Sequence, residues 1–260
     1  MKKEKIINLI LLILIPLIGG AFARYYRTNG MVSLLLIYAA PSVYISIKNP
    51  KHVAKTTLFS FFIGIPLIII FDFISHYTNT WEIYNTIFGF RLFNYVTIEN
   101  MLWAFFHLYY TIFFYEHFID KPEKNKIKIL PRMKYILSII LGLFITFIGL
   151  YFFSQKTLFI HYFYMFLGII VIVIPTTIFL VKYPKFINKF TLVTAYFFFF
   201  SILVEYVGLK NNIWNFPGNE FIGWVQLFGG KFPFEELFFW MMLFSGAILS
   251  FYEFFDDDRK

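Results

Sequence analysis

Eight apolar runs, each about as long as the roughly 20 residues needed to cross a bilayer as a helix, constrain this chain more than any other feature. They cover residues 6–23, 30–47, 56–74, 98–118, 133–153, 158–181, 190–208 and 234–255. The residues between them are too few to enclose such runs in a water-soluble shell. Hydrophobic residues make up 59% of the chain and charged residues only 15%, so lipid must be the solvent for most of the surface. The expected fold is an all-α integral membrane bundle of eight transmembrane helices. With no cysteine, thiol chemistry, disulfides and iron–sulfur clusters are excluded. The absence of a Gly-rich phosphate loop argues against a nucleotide-binding domain.

The net charge of +8 does not indicate nucleic acid, because the basic residues sort by loop. Lys2, Lys3 and Lys5 precede the first run, and Lys48, Lys51 and Lys55 follow the second. Lys121, Lys124, Lys126, Lys128, Arg132 and Lys134 lie between the fourth and fifth. Lys182, Lys185 and Lys189 follow the sixth, and Arg259 and Lys260 end the chain. These are 17 of the 23 Lys and Arg, all on one side of an eight-span topology. By the positive-inside rule that side, with both termini, is cytoplasmic in a multi-pass cell-membrane protein that contacts anionic lipid. Ala21-Phe22-Ala23 resembles a signal-peptidase site, but the run before it is long for a signal peptide and has a counterpart in the repeat described next.

The chain repeats itself. Pro41, Lys48-Asn-Pro50-Lys51 and Lys55 recur as Pro175, Lys182-Tyr-Pro184-Lys185 and Lys189, always 134 residues on. Asp72 and Trp81 recur as Glu205 and Trp214, 133 residues on. Glu99 opens the fourth run and Glu235-Glu236 open the eighth. A duplication divides the chain into modules 1–130 and 131–260. Four helices per module is an even number, so both copies enter from the same side as parallel repeats, and both acid–Trp–acid loops meet at one face.

Carboxylates at membrane depth suggest function. Asp72, Glu99, Glu205, Glu235 and Glu236 are candidate acid–base residues. Asp72 and Glu205 stand near helix C-termini, where the dipole disfavours a carboxylate, while Glu235 and Glu236 follow Pro233 at a helix start. Acids on opposite lips of one loop suit general acid–base chemistry. Trp81-Glu82-Ile83-Tyr84 and Trp214-Asn215-Phe216 place aromatic faces beside them, and such faces stabilise cations. Trp81, Trp214 and Trp224 could equally be interfacial anchors. His107 reads as packed or hydrogen-bonded within a helix.

Glu205, Trp214-Asn215-Phe216, Gly223 and Phe232-Pro233-Phe234-Glu235-Glu236-Leu237-Phe238-Phe239 together resemble the integral-membrane lycopene cyclases of the heterodimeric or fused type. The resemblance runs from about Pro175 to Phe255, and more weakly from Pro41 to Phe118. There Thr97-Ile98-Glu99-Asn100 stands in place of Pro-x-Glu-Glu, and either Glu of that motif could be the counterpart of Glu99. The resemblance implies non-redox cyclisation of a lycopene-like linear carotenoid end group. Catalysis would fall to Glu235, Glu236, Glu205, Asp72 and Glu99. Trp81, Trp214, Tyr84, Phe216, Phe238, Phe239 and Asn100 would line the substrate, with no cofactor or metal, and other carotenoid-pathway enzymes could be partners. The alternative is a non-catalytic carotenoid- or isoprenoid-binding or transport protein on the same scaffold. An intramembrane glutamic protease fits poorly, because Trp240 stands where such enzymes carry Arg.

Overall fold

The computed structural model describes residues 2–120, 133–227 and 229–255. Lys121, Lys124, Lys126, Lys128 and Arg132, the tail Asp256-Asp257-Asp258, and Arg259 and Lys260 lie outside the described residues. Eight long helices carry the described chain. They are α1 (Lys2–Tyr25), α2 (Gly30 to Lys48), α3 (Pro50–Tyr77), α4 (Ile98–Phe118), α5 (Met133–Phe153), α6 (Phe163–Lys182), α7 (Pro184–Lys210) and α8 (236–255). Seven are long and apolar enough to cross a membrane.

α4 is the exception, and its position explains why. Every residue from His107 to Glu116 is buried, so over that stretch α4 runs through the middle of the bundle with no exposed face. It therefore tolerates Glu99, Asn100, His107 and Glu116. α5 is the opposite case. Its buried residues are Met133, Ile140 and Phe147, one seam at a heptad spacing, and Ile139, Leu141, Leu143 and Ile145 project outward. Apolar surface of that extent fits a helix long and apolar enough to cross a membrane. α1 lies against α2 and α7, with Gly19 on Leu36 and Gly20 on Leu203, while α5 lies against α3. α4 and α8 also touch each other.

Three helices widen into π-turns just before a proline. Leu35–Ala39 precedes Pro41, Ser60–Gly64 precedes Pro66, and Gly168–Val173 precedes Pro175. Proline lacks the N–H and its ring clashes with the carbonyl four residues back, and a wider turn relieves both. The fourth π-segment, Glu236–Leu243 in α8, contains no proline. The sixth helix begins at Phe163 rather than near Leu158, because Gln155–Leu158 closes a 3₁₀ turn and Tyr162 takes a left-handed φ of 51°.

Short strands join the loops: β1 (Glu82–Ile83), β2 (Arg91–Leu92), β3 (Val96–Thr97), β4 (Trp214–Asn215), β5 (Trp224–Leu227) and β6 (Gly230–Pro233). β2 pairs with β3 and β5 with β6, each within its own loop. β1 pairs antiparallel with β4, Glu82 opposite Asn215 and Ile83 opposite Trp214, tying the two long loops together.

The opposite end of the bundle holds a buried polar cluster. Lys55 Nζ donates to Glu116 Oε1 at 3.2 Å, Tyr252 donates to the same carboxylate, and His52 Nδ1 lies 3.4 Å from Glu116 Oε2. Tyr115 donates to Glu253. Lys55, counted in the sequence as a loop residue, is thus inside α3 and 6% exposed, which weakens it as a marker of membrane orientation.

Candidate functional site

Matching caps end α3 and α7. Asn79 and Asn212 adopt left-handed φ values of 57° and 51°, and Thr80 N–H and Ile213 N–H reach back to the Ser75 and Gly208 carbonyls at 2.7 and 2.8 Å. An αL residue just past a helix end turns the chain back across its last turn. The next residue is Trp81 in one loop and Trp214 in the other, and each ring is carried over the helix it has just left. Trp81 Nε1 donates to Asp72 Oδ1 at 2.7 Å, and Trp214 Nε1 to Glu205 at 3.2 Å. The acid and the Trp nine residues later, seen twice in the sequence, are therefore a hydrogen-bonded pair in both loops. Gly208 is required by this arrangement: a Cβ there would come 2.0 Å from the Trp214 ring.

A second pair of acids holds the loops. Glu99 Oε1 accepts from Ile87 N–H at 2.7 Å, and Glu235 Oε1 from Ile222 N–H at 2.6 Å. Both sit in the first turn of a central helix and clamp the loop before it. The two glutamates play the same local role, with Asn100 following the one and Glu236 the other.

These loops close one end of a cavity of about 200 Å³ among α2, α3, α4, α6, α7 and α8. Its wall is aromatic and aliphatic, and Glu99, Glu205 and Glu236 are the carboxylates that line it. Tyr164, from α6, donates to Glu236 Oε2. The Tyr164 ring stacks on Trp240 at 5.7 Å and meets Trp81 edge-on at 5.3 Å. The proline-free π-segment of α8 is placed to do this. A turn wider than 3.6 residues keeps Glu236, Trp240 and Phe244, four apart, on one face of the helix, and all three line the cavity. Deeper in, Trp103 Nε1 donates to Tyr38 Oη at 3.0 Å, and that oxygen lies 3.1 Å from His107 Nδ1.

Seven of the twelve residues expected from the sequence line the cavity: Glu99, Glu205, Glu236, Trp81, Trp214, Phe216 and Asn100. The other five do not. Asp72 is wholly buried behind Trp81 and also neighbours His76, whose Nδ1 is 3.4 Å from Oδ1. Glu235 is wholly buried in its clamp. Tyr84 is half exposed and donates to Glu82. Phe238 stacks on Phe234 at the periphery, and Phe239 fills the space over Gly168, where a Cβ would meet its ring at 2.2 Å. Tyr38, Trp103, Tyr164 and Trp240 were missed, and the sequence offers little to find them, since aromatic residues are 24% of the chain. Trp224 is 39% exposed under Lys231, whose Nζ lies 4.2 Å from its ring centre. No protein-family model, curated protein or solved structure matches the chain.

Proposed function

We propose that the chain is a carotenoid end-group cyclase of the membrane lycopene cyclase type, built as two parallel four-helix repeats about an axis along the membrane normal. The observation that carries the reading is Glu236 and Glu205 lining one aromatic cavity at the loop end of the bundle. The repeat draws support from reciprocal packing. α1 lies on α7 as α5 lies on α3, α4 meets α8, and the β1–β4 pair joins equivalent loops antiparallel. In this reading the basic end faces the cytoplasm of a cell-membrane protein.

The cavity favours an end group over a whole polyene. At about 200 Å³ it falls below the ~300–1,000 Å³ that encloses a drug-sized ligand, so a long chain enters by one terminus. The remainder of the substrate stays among lipid tails.

Glu236 is the proton donor. It delivers a proton to the terminal alkene, and the tertiary cation is attacked by the nearby double bond to close a six-membered ring. A carboxylate then removes a ring proton, and Glu205, which lines the same cavity from α7, is the base. One proton enters and one leaves, and no electrons are exchanged. The faces of Trp240, Tyr164 and Trp81 hold the cation away from water. Asp72 behind Trp81 and Glu205 behind Trp214 accept the indole N–H and hold each ring in place. Asn100, standing where the other repeat has Glu236, supplies no proton, so a single module does the acid chemistry.

The test is expression in a lycopene-accumulating bacterium with chromatographic separation of pigments. Cyclic product is expected from the natural chain and from Asn100→Ala. Linear pigment alone, bound or unbound, would favour the binding or transport alternative.

A further inference from the structure

Five buried hydroxyls among the described residues have no partner, Thr56, Ser60, Ser75, Thr111 and Thr176, and three of them cluster on α3 and α4 between the basic end and the cavity. Ser42, Ser46, Thr146 and Ser250 each bond the carbonyl four residues back, the usual way to satisfy a hydroxyl in a helix inside a membrane. Thr56, Ser60 and Thr111 are 0% exposed, and their hydroxyl oxygens have no partner at all. His107 Nε2, also buried, has none either. An unsatisfied buried polar group costs about 1–3 kcal/mol, and natural proteins fill such places with ordered water.

The four groups fall on one line. α3 and α4 run antiparallel, and two contacts set their register. Lys55 meets Glu116 at the basic end, and Gly64 packs on Leu108 and Ala104 nearer the cavity. Between these contacts Ser60 stands level with Thr111, Thr56 lies a turn nearer Glu116, and His107 lies a turn nearer the cavity, which it lines. The Ser60–Gly64 π-turn opens the backbone of α3 along this stretch.

We propose that the α3–α4 seam holds a file of water running from the Lys55–Glu116–His52 cluster to the cavity wall at His107, and that protons exchange along it between the basic end of the bundle and the cavity. Water bonded to Thr56, Ser60 and Thr111 satisfies all three hydroxyls at once. Through this file the acids of the cavity are reset from the basic end of the bundle. For each proton that a reset donor takes up from the file, the base releases one to it, so the reaction stays proton-neutral. The resetting role rests on the cyclase reading; the hydration of the seam does not.

The experiment is a water-resolving structure of the full chain in lipid nanodiscs, natural and Ser60→Ala/Thr111→Val, with turnover of both in H₂O and D₂O. Water density bonded to Ser60 Oγ and Thr111 Oγ1, lost in the variant, is expected. Ser60→Ala and Thr111→Val break no bond to another protein group and nearly keep the side-chain shape, so the variant is expected to fold. Turnover should fall roughly threefold or more with KM unchanged, the solvent isotope effect should grow, and Ser60 with Thr111→Ser should recover both. Side chains closed over Ser60 and Thr111 without water density would overturn the file. Full turnover with an unchanged isotope effect would overturn its role in proton exchange. If the natural chain forms no ring while the water is seen, the cyclase reading falls and the file stands.

Discussion

Glu235 and Glu236 are neighbours in sequence with different surroundings, and that difference can be measured. Glu236→Gln is expected to lower ring formation at least tenfold, about 1.4 kcal/mol of barrier, with normal amounts of folded protein. Glu235→Ala is expected to cost about 1.5–3 kcal/mol of stability by removing a carboxylate bound to a backbone N–H. The reverse pattern, with activity lost at Glu235 and stability at Glu236, would exchange their roles. Gly208→Ala must displace Trp214 from Glu205, and a loss of about 1–3 kcal/mol in thermal unfolding is expected, as for other overpacked sites. In the loop between α5 and α6, hydrogen bonds from His161 and then Tyr162 N–H hold the Glu220 carboxyl below its ordinary value of 4.5. A carboxyl lowered on folding stabilises above that ordinary value and ceases to as pH falls through the folded one. Protection of the Tyr162 amide, its exchange compared with the intrinsic rate at each pH, should therefore hold at neutral pH and fall only below about 4.5, earlier in high salt. Loss of protection already near neutrality would contradict it.

At the scale of elements, the loop pairing is the feature to test. On this cysteine-free chain, Glu82→Cys with Asn215→Cys places two thiols on directly opposed strand positions, within disulfide reach. Oxidation should link the halves, so that cleavage between α4 and α5 leaves one band until reductant is added; two bands before reduction would refute the pairing. The helices were readable because lipid demands long apolar runs, and seven of the eight described ones also satisfy length and apolarity in the structure. The β1–β4 pairing was not, since two-residue strands have no periodicity to detect. The acid–Trp spacing was visible as a repeat, but its meaning depended on the αL asparagines Asn79 and Asn212, which turn each Trp back onto its helix. Which of two adjacent glutamates clamps the loop and which faces the cavity is a matter of helix phase, set by a π-segment that no proline announces.

For the whole molecule, the bundle has two unlike ends: aromatic rings and loop clamps at one, lysines and a buried ionic cluster at the other. Orientation can be read by placing single cysteines at Lys156 and at Lys185. Labelling of position 156 from outside the cell and of position 185 only after permeabilisation is the expected pattern, and the converse would invert the molecule. The central claim is that the cavity makes rings from linear polyene ends. The most direct measurement is pigment composition in a lycopene-accumulating bacterium carrying the natural chain or Glu236→Gln at matched membrane levels. Cyclic carotenoid from the natural chain, reduced at least tenfold by the substitution, is the expected result. Linear lycopene alone from a folded, membrane-inserted natural chain, or equal ring yield from Glu236→Gln, would contradict it.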